Sequence, residues 1–227
     1  MNASFGFLMF FVGRDVERQR ACFKLAYPDV PFVAHHGLTS CAFSQHGNST
    51  GRRCWNRLMR EKVTAILGSP FSMSIVVDTD VWPNPHHKWR HTLGEKVNLL
   101  LQQYTLAGVL DTWSTTISFG FLNGGFLVVQ KTDESETFFR HVIAFLDRDR
   151  FATEQMAYDT LLREPQHSGL RVRVLHHMWS CTVHHVWEQT CLFIHSHRVN
   201  SCPDTPYGIR LQPITRWQPG EGEKEFG

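Results

Sequence analysis

Apolar residues are arranged along this chain in two ways: short unbroken runs, and longer stretches in which they return every three to four positions. The runs are Phe5 to Val12, Pro31 to His35, Ile75 to Val77, Thr115 to Phe121, Phe126 to Val129, Arg171 to Leu175 and Cys191 to His195. A run without polar alternation reads as a strand covered on both faces, as in the sheets of α/β proteins. Helical spacing occupies about residues 15–27, closed by Pro28, and Arg52 to Leu67, with Trp55, Leu58, Met59, Val63, Ile66 and Leu67 on one arc. A third helix starts at Thr92-Leu93-Gly94-Glu95, a capping-box pattern, and runs to about Leu106. A fourth carries Phe138, Phe139, Val142, Phe145 and Leu146 inward behind Asp133 and Glu136 as caps, and a fifth spans Thr153 to Leu162. Strands and helices that take turns in this way predict an α/β fold with a mostly parallel central sheet flanked by helices.

The punctuation refines this picture. Gly37 to Gly51 reads as a loop, and Leu122-Asn123-Gly124-Gly125 interrupts two apolar runs. The two glycines there imply either a close backbone approach or a hairpin turn. Beyond Asn200, proline, glycine and charge predict an irregular tail, so the expected organisation is one domain over 1–199 and a tail over 200–227.

Composition narrows the partners. With 227 residues, 42% of them hydrophobic and 19% charged, the chain can bury one large core. A net charge of +2 gives no broad basic field, and the densest basic cluster (Arg52, Arg53, Arg57, Arg60, Lys62) lies on one predicted helix. Nucleic acid is therefore not the expected partner. The six cysteines form no Cys-x-x-Cys pair, which argues against a zinc ribbon and predicts buried free thiols. The apolar start is too short to cross a bilayer and has no positive residue ahead of it, so it reads as a first strand rather than a signal, and no transmembrane segment is expected. Asn2-Ala3-Ser4 and Asn48-Ser49-Thr50 match the glycosylation sequon.

The candidate chemistry centres on Ile75-Val76-Val77-Asp78-Thr79-Asp80-Val81-Trp82, where an apolar strand runs into two carboxylates. Ligands of open α/β sheets bind beyond the carboxyl ends of strands, and alternation along an extended chain points Asp78 and Asp80 to the same side. Two hard oxygen ligands there suit Mg²⁺ or Mn²⁺ carrying a phosphate-bearing substrate. Lys62 falls inside the apolar arc of its helix, where it either snorkels to the rim or is held inward by a negative partner such as a diphosphate. Glu154 and Gln155 open a helix, where the positive end favours an ionised carboxylate. His195 closes the last apolar run, and neighbouring histidines elsewhere face opposite ways on a strand, so few of the fourteen are expected to share a ligand.

The order of these segments resembles the nucleotide-diphospho-sugar transferases of GT-A fold, most of all the glycogenin-like and related Asp-x-Asp glycosyltransferases. The segments are the Lys62 helix leading through Ser69-Pro70-Phe71 to Asp78-Thr79-Asp80, then Leu122 to Phe126, Glu154-Gln155, and His195-Ser196-His197. The resemblance implies a single GT-A, Rossmann-like domain that is a metal-dependent glycosyltransferase. It would transfer a sugar, with retention, from a nucleotide-diphosphate donor, expected to be a UDP-sugar, to an acceptor that is a glycan, a protein or a small molecule. It implies Asp78, Asp80 and His195 as ligands of Mn²⁺ or Mg²⁺. Donor contacts would come from Gly13, Arg14, Lys62, Asp78, Thr79, Asp80, Gly124 and Gly125, and catalytic roles from Asn123, Glu154 and Gln155. Two positions depart from the pattern: Glu154 stands where many relatives have Asp, and His197 where they often carry Arg. Two other readings accompany this one, a non-catalytic sugar-nucleotide or glycan-binding module of the same fold, and a haloacid-dehalogenase-like phosphatase with Asp78 as nucleophile. The setting expected is cytoplasmic, or that of a Golgi-type catalytic domain lacking its anchor.

Overall fold

Strand β1 (Phe5–Phe11) sends Phe7 and Met9 into one core and Leu8 and Phe10 into another, so its unbroken apolar run serves two faces. Strand β3 (Met73–Asp78) does the same with Ile75 and Val77 against Val76, and β6 (Leu122–Gln130) with Phe126 and Val128 against Leu127 and Val129. Three helices cover the Leu8 side: α2 (Ser49–Leu67), α4 (Asp133–Arg148) and α5 (Glu154–Leu162). On the Phe7 side lie α1 (Val16–Ala26), through Phe23 and Ala26, and α3 (Leu93–Gln103), through Leu93, Val97 and Leu101. This is the three-layer arrangement that the pattern predicts. The computed structural model describes residues 4–11, 16–37, 49–84, 87–110, 122–176, 178–182 and 191–195.

The central sheet also contains β2 (Phe32–His36), β5 (Leu106–Leu110) and β7 (Val172–Leu175), in the order β2-β1-β3-β6-β5-β7. Strands β1, β2 and β3 are parallel, as are β5 and β7, while β6 runs antiparallel to both of its neighbours. That reversal matters for the site. Val77 pairs with Phe126, so the start of β6 lies at the same sheet edge as the end of β3. A second sheet, β4-β9-β8, stands beside this edge and is made of β4 (Val81–Pro83), β9 (Phe193–His195) and β8 (Ser180–Thr182).

Several sequence expectations need correction. The third helix ends at Gln103, and Leu106–Leu110 is a strand held between β6 and β7. Thr92 makes no side-chain cap on α3; its hydroxyl donates to the Trp89 carbonyl at 3.4 Å, inside a 3-10 turn that precedes the helix. The fourth helix is capped by Thr132, which exchanges bonds with Ser135 in a capping box, and not by Asp133 and Glu136. Leu122 to Gln130 is one continuous strand, so the Gly124-Gly125 pair is not a hairpin turn. The second helix begins at Ser49, inside the expected loop. The cysteines differ most: Cys22, Cys54 and Cys191 are disulfide-bonded, and no described cysteine is free. The expected strand at 115–121, most of the loop at 37–51 and the tail over 200–227 lie outside the described residues.

Asn56 joins α2 to the segment between α4 and α5. Its buried amide nitrogen donates to the carbonyls of Leu146, Asp149 and Ala152 at 3.3, 2.9 and 2.9 Å. Those carbonyls end α4 and lead into the helix that begins with Glu154, so this contact sets where α5 starts. Asn56→Leu leaves buried acceptors unpaired and is expected to lower the unfolding free energy by about 2 kcal/mol in a denaturant titration. Peptide mapping after alkylation under denaturing conditions is expected to label Cys22, Cys54 and Cys191 only once the protein has been reduced.

Candidate active site

Strand β3 stops at Asp78 because Thr79 and Asp80 form a turn that leads directly into β4. The alternation expected of an extended chain therefore ends at Asp78, and the two carboxylates of Asp78-Thr79-Asp80 have different partners. Asp78 Oδ1 lies 2.7 Å from Lys62 Nζ, and Asp80 Oδ1 lies 3.2 Å from His195 Nε2. Thr79 sits between them, half-buried.

Lys62 takes the inward of its two possible courses. It is 0% exposed, packed within the buried face of α2 beside Met59, Val63 and Ile66, and its ammonium also meets Glu154 Oε1 at 3.2 Å. Its negative partners are thus two carboxylates of the protein itself, one from the end of β3 and one from the start of α5. Burial acts against the lysine's charge, but Asp78 and Glu154 outweigh it and hold its pKa above the ordinary lysine value. Burial raises the Asp78 carboxyl; Lys62 pulls it back, and the nearby Asp80 and Glu154 add to the rise, which leaves it above the usual carboxylate range. One lysine facing two carboxylates, with Asp80 close by, leaves this corner with excess negative charge. His195 is buried too, which opposes its protonation, yet the hydrogen bond and charge of Asp80 raise its pKa above the ordinary imidazole value.

The start of β6 closes the site from below. Asn123 Oδ1 accepts from the Gly125 backbone N–H at 2.7 Å, which curls the buried asparagine back on its own strand. A Cβ at Gly124 would lie 2.3 Å from Glu154 Oε1, and one at Gly125 would lie 2.6 Å from His195 Cε1. These glycines are the close backbone approach allowed by the sequence, because any larger residue would push Glu154 and His195 away. Gln155 follows Glu154 on α5 and is half-buried. Tyr158, one turn further on, is fully buried with no hydrogen-bond partner for its hydroxyl; burial raises its pKa, helped by Glu154 and Asp78.

The structure therefore brings together Lys62, Asp78, Glu154 and Gly124 in one group, and Asp80, His195, Gly125 and Asn123 in another beside it. Gly13, Arg14 and His197 lie outside the described residues. Among the described residues, no group of three or more His, Cys, Asp or Glu side chains is gathered as a metal site. The donor atoms of Asp80 and His195, one carboxylate oxygen and one imidazole nitrogen, are near enough for one cation to replace the hydrogen bond between them, and this mixed pair fits Mn²⁺ better than Ca²⁺. Sequence reasoning did not single out Gln19, whose role depends on a contact across about sixty residues. Of the tryptophans, Trp82 is buried in β4, and the Trp89 ring is covered by Lys96 Nζ at 4.3 Å.

Replacing Lys62 tests the ion cluster. Lys62→Met leaves Glu154 and Asp78 with no cation, and loss of one partner of a buried pair is expected to cost about 3 kcal/mol or more at pH 8. In that variant Asp78 loses the charge that pulls its carboxyl back, so its folded-state pKa lies further above its unfolded value. The penalty is then full above that pKa and shrinks as pH falls through it, because the carboxyl takes up a proton. Denaturant titrations of both proteins at pH 8 and pH 5 check this: the gap between them is expected to narrow at pH 5.

Comparison with known proteins places this geometry in context. The family model described as nucleotide-diphospho-sugar transferase matches residues 9–204. Among solved structures, a glycosyltransferase involved in the glycosylation of the major capsid of PBCV-1 superposes with a TM-score of 0.58 at 14% identity, over 84% of this chain and 92% of that one. The galactosyltransferase LgtC, in complex with donor and acceptor sugar analogs, gives 0.49 at 10% identity, over 86% and 90% of the two chains. Mouse xyloside xylosyltransferase 1 in its apo form gives 0.48 at 9%, over 85% and 97%. Likeness of fold rests on the first of these. No curated protein sequence matches.

Proposed function

The chain belongs to the nucleotide-diphospho-sugar transferase family, and from that premise we propose that it is a metal-dependent glycosyltransferase that takes a UDP-sugar as donor and retains the anomeric configuration. The observation that carries this reading is the pairing of Asp80 with His195 at 3.2 Å beside a cluster in which one buried lysine faces Asp78 and Glu154. A diphosphate brought to this corner meets net negative charge, so its approach requires a cation. Mn²⁺ or Mg²⁺ would be held by Asp80 and His195, and by the carboxylate oxygen of Asp78 that Lys62 does not engage. When bound, the ion supplies Lewis-acid stabilisation of the departing nucleotide diphosphate.

The chain's own residues do the rest. Lys62 orients Asp78 and Glu154 by charge-assisted hydrogen bonds that are shielded from water, so neither carboxylate has to reorganise when the donor arrives. Gly124 and Gly125 let Glu154 and His195 lie directly against the strand, so that both side chains border the space proposed for the sugar. Asn123, bonded to Gly125, and the Glu154-Gln155 pair border that space and would position the sugar and the acceptor hydroxyl. Gly13, Arg14 and Thr79 complete the proposed donor contacts.

Family membership and the place of the Asp pair at the end of the third strand set aside the phosphatase reading. The binding-module reading draws on one observation, that Glu154 is committed to Lys62. The disulfides at Cys22, Cys54 and Cys191 favour the Golgi-type setting, since such bonds persist in oxidising compartments. No described helix is long and apolar enough to cross a membrane.

A panel of nucleotide sugars, with and without Mn²⁺, tests the proposal. The wild type is expected to hydrolyse one UDP-sugar slowly in Mn²⁺. Asp80→Asn is expected to abolish that turnover, and His195→Ala to raise the Mn²⁺ needed by roughly tenfold or more. Tight donor binding without any turnover, with or without acceptor sugars, would establish the binding module instead.

A further inference from the structure

Gln19, on the buried face of α1, reaches with its side chain the turn that carries both aspartates. Its Nε2 donates to the backbone carbonyl of Asp78 at 3.0 Å and to that of Val81 at 2.5 Å. The residue is 1% exposed, and both bonds join parts of the chain about sixty residues apart. One turn further along the same helix, Cys22 Sγ lies 4.0 Å from the Pro83 carbonyl, so α1 follows the chain from the turn into β4. Because both partners are carbonyls, only the nitrogen of the amide can face them, and the orientation of the carboxamide is set by chemistry.

The two acceptors bracket Asp78-Thr79-Asp80-Val81. The first fixes where β3 ends and so where the Asp78 carboxylate faces Lys62. The second fixes where β4 begins and so where the Asp80 carboxylate faces His195, since Val81 pairs with His195 across the small sheet. We infer that Gln19 is a positioning residue that sets the separation of the Asp78 and Asp80 carboxylates for the donor. It tightens both metal and nucleotide diphosphate binding through the backbone of the turn, without touching either ligand. This rests on the Asp-Thr-Asp turn being the donor segment, and it extends that reading to a helix on the other face of the sheet.

The experiment uses Gln19→Met, which keeps length and volume but removes both donors. Mn²⁺ affinity is read by electron paramagnetic resonance of the free ion, and uridine diphosphate affinity by calorimetry in saturating Mn²⁺. Thermal unfolding is followed alongside. Leu101→Ala, in the buried face near the end of α3 and destabilised in its own right, serves as control. Both affinities are expected to fall roughly tenfold in Gln19→Met, the scale of one well-placed buried hydrogen bond, and to stay at the wild-type level in the control. Wild-type affinities in Gln19→Met overturn the inference, and so does an equal fall in the control or loss of the cooperative unfolding transition in Gln19→Met, either of which makes the contact purely structural. A wild type that binds neither Mn²⁺ nor uridine diphosphate fails on a different count and sinks the donor reading together with the inference built on it.

Discussion

A lysine placed in the middle of an apolar helix face has to bring its counter-charges with it. Taking an ammonium out of water costs several kcal/mol, and Lys62 is wholly buried, so α2 can pack against the sheet only where carboxylates meet it. Asp78 comes from the end of β3 and Glu154 from the start of α5, so one cation joins three elements that are far apart in sequence. The remaining geometry follows. Helix α5 must begin where Glu154 reaches the lysine, Asn56 holds the preceding segment in place, and β6 must run beneath Glu154 without a side chain at Gly124.

The same constraint creates the chemistry. Two carboxylates on one lysine, with Asp80 beside them, leave charge unbalanced, and the imbalance lies toward the sheet edge, where His195 arrives from the second sheet. A protein selected only for stability would gain more from an apolar residue at position 62, because a well-packed hydrophobe usually matches or exceeds a buried ion pair. That a charged cluster occupies the carboxyl end of the strands, where α/β sheets bind ligands, is consistent with a site for a nucleotide-sugar donor. Membership of the nucleotide-diphospho-sugar transferase family agrees with this reading.

Antiparallel β6 contributes something that a fully parallel sheet would not. Its first residues, and not its last, stand at the binding edge, so Asn123, Gly124 and Gly125 enter the site as backbone and short side chains from a rigid strand. Sites built on strands hold their geometry more closely than sites built on loops. The disulfides at Cys22 in α1, Cys54 in α2 and Cys191 just before β9 add covalent restraint to elements that border this edge.

Much of this was legible in the residues. Unbroken apolar runs marked β1, β3 and β9, helical spacing marked α2, α4 and α5, and a lysine within an apolar arc pointed to a buried charge. Those features are local: periodicity follows from the geometry of a strand or helix, and a residue's own burial follows from its place in that period. What the sequence left open was everything that depends on a partner. It did not show that Lys62 is held by Asp78 and Glu154, that Asp80 turns to His195, that Gln19 holds the turn between them, or that the cysteines are bonded. It misread Leu106–Leu110 as the end of a helix because that strand exists only through pairing with β6 and β7. Side-chain partners and sheet register join residues up to more than a hundred positions apart, and no local pattern encodes such a distance; only packing the layers around one buried charge decides which of them meet.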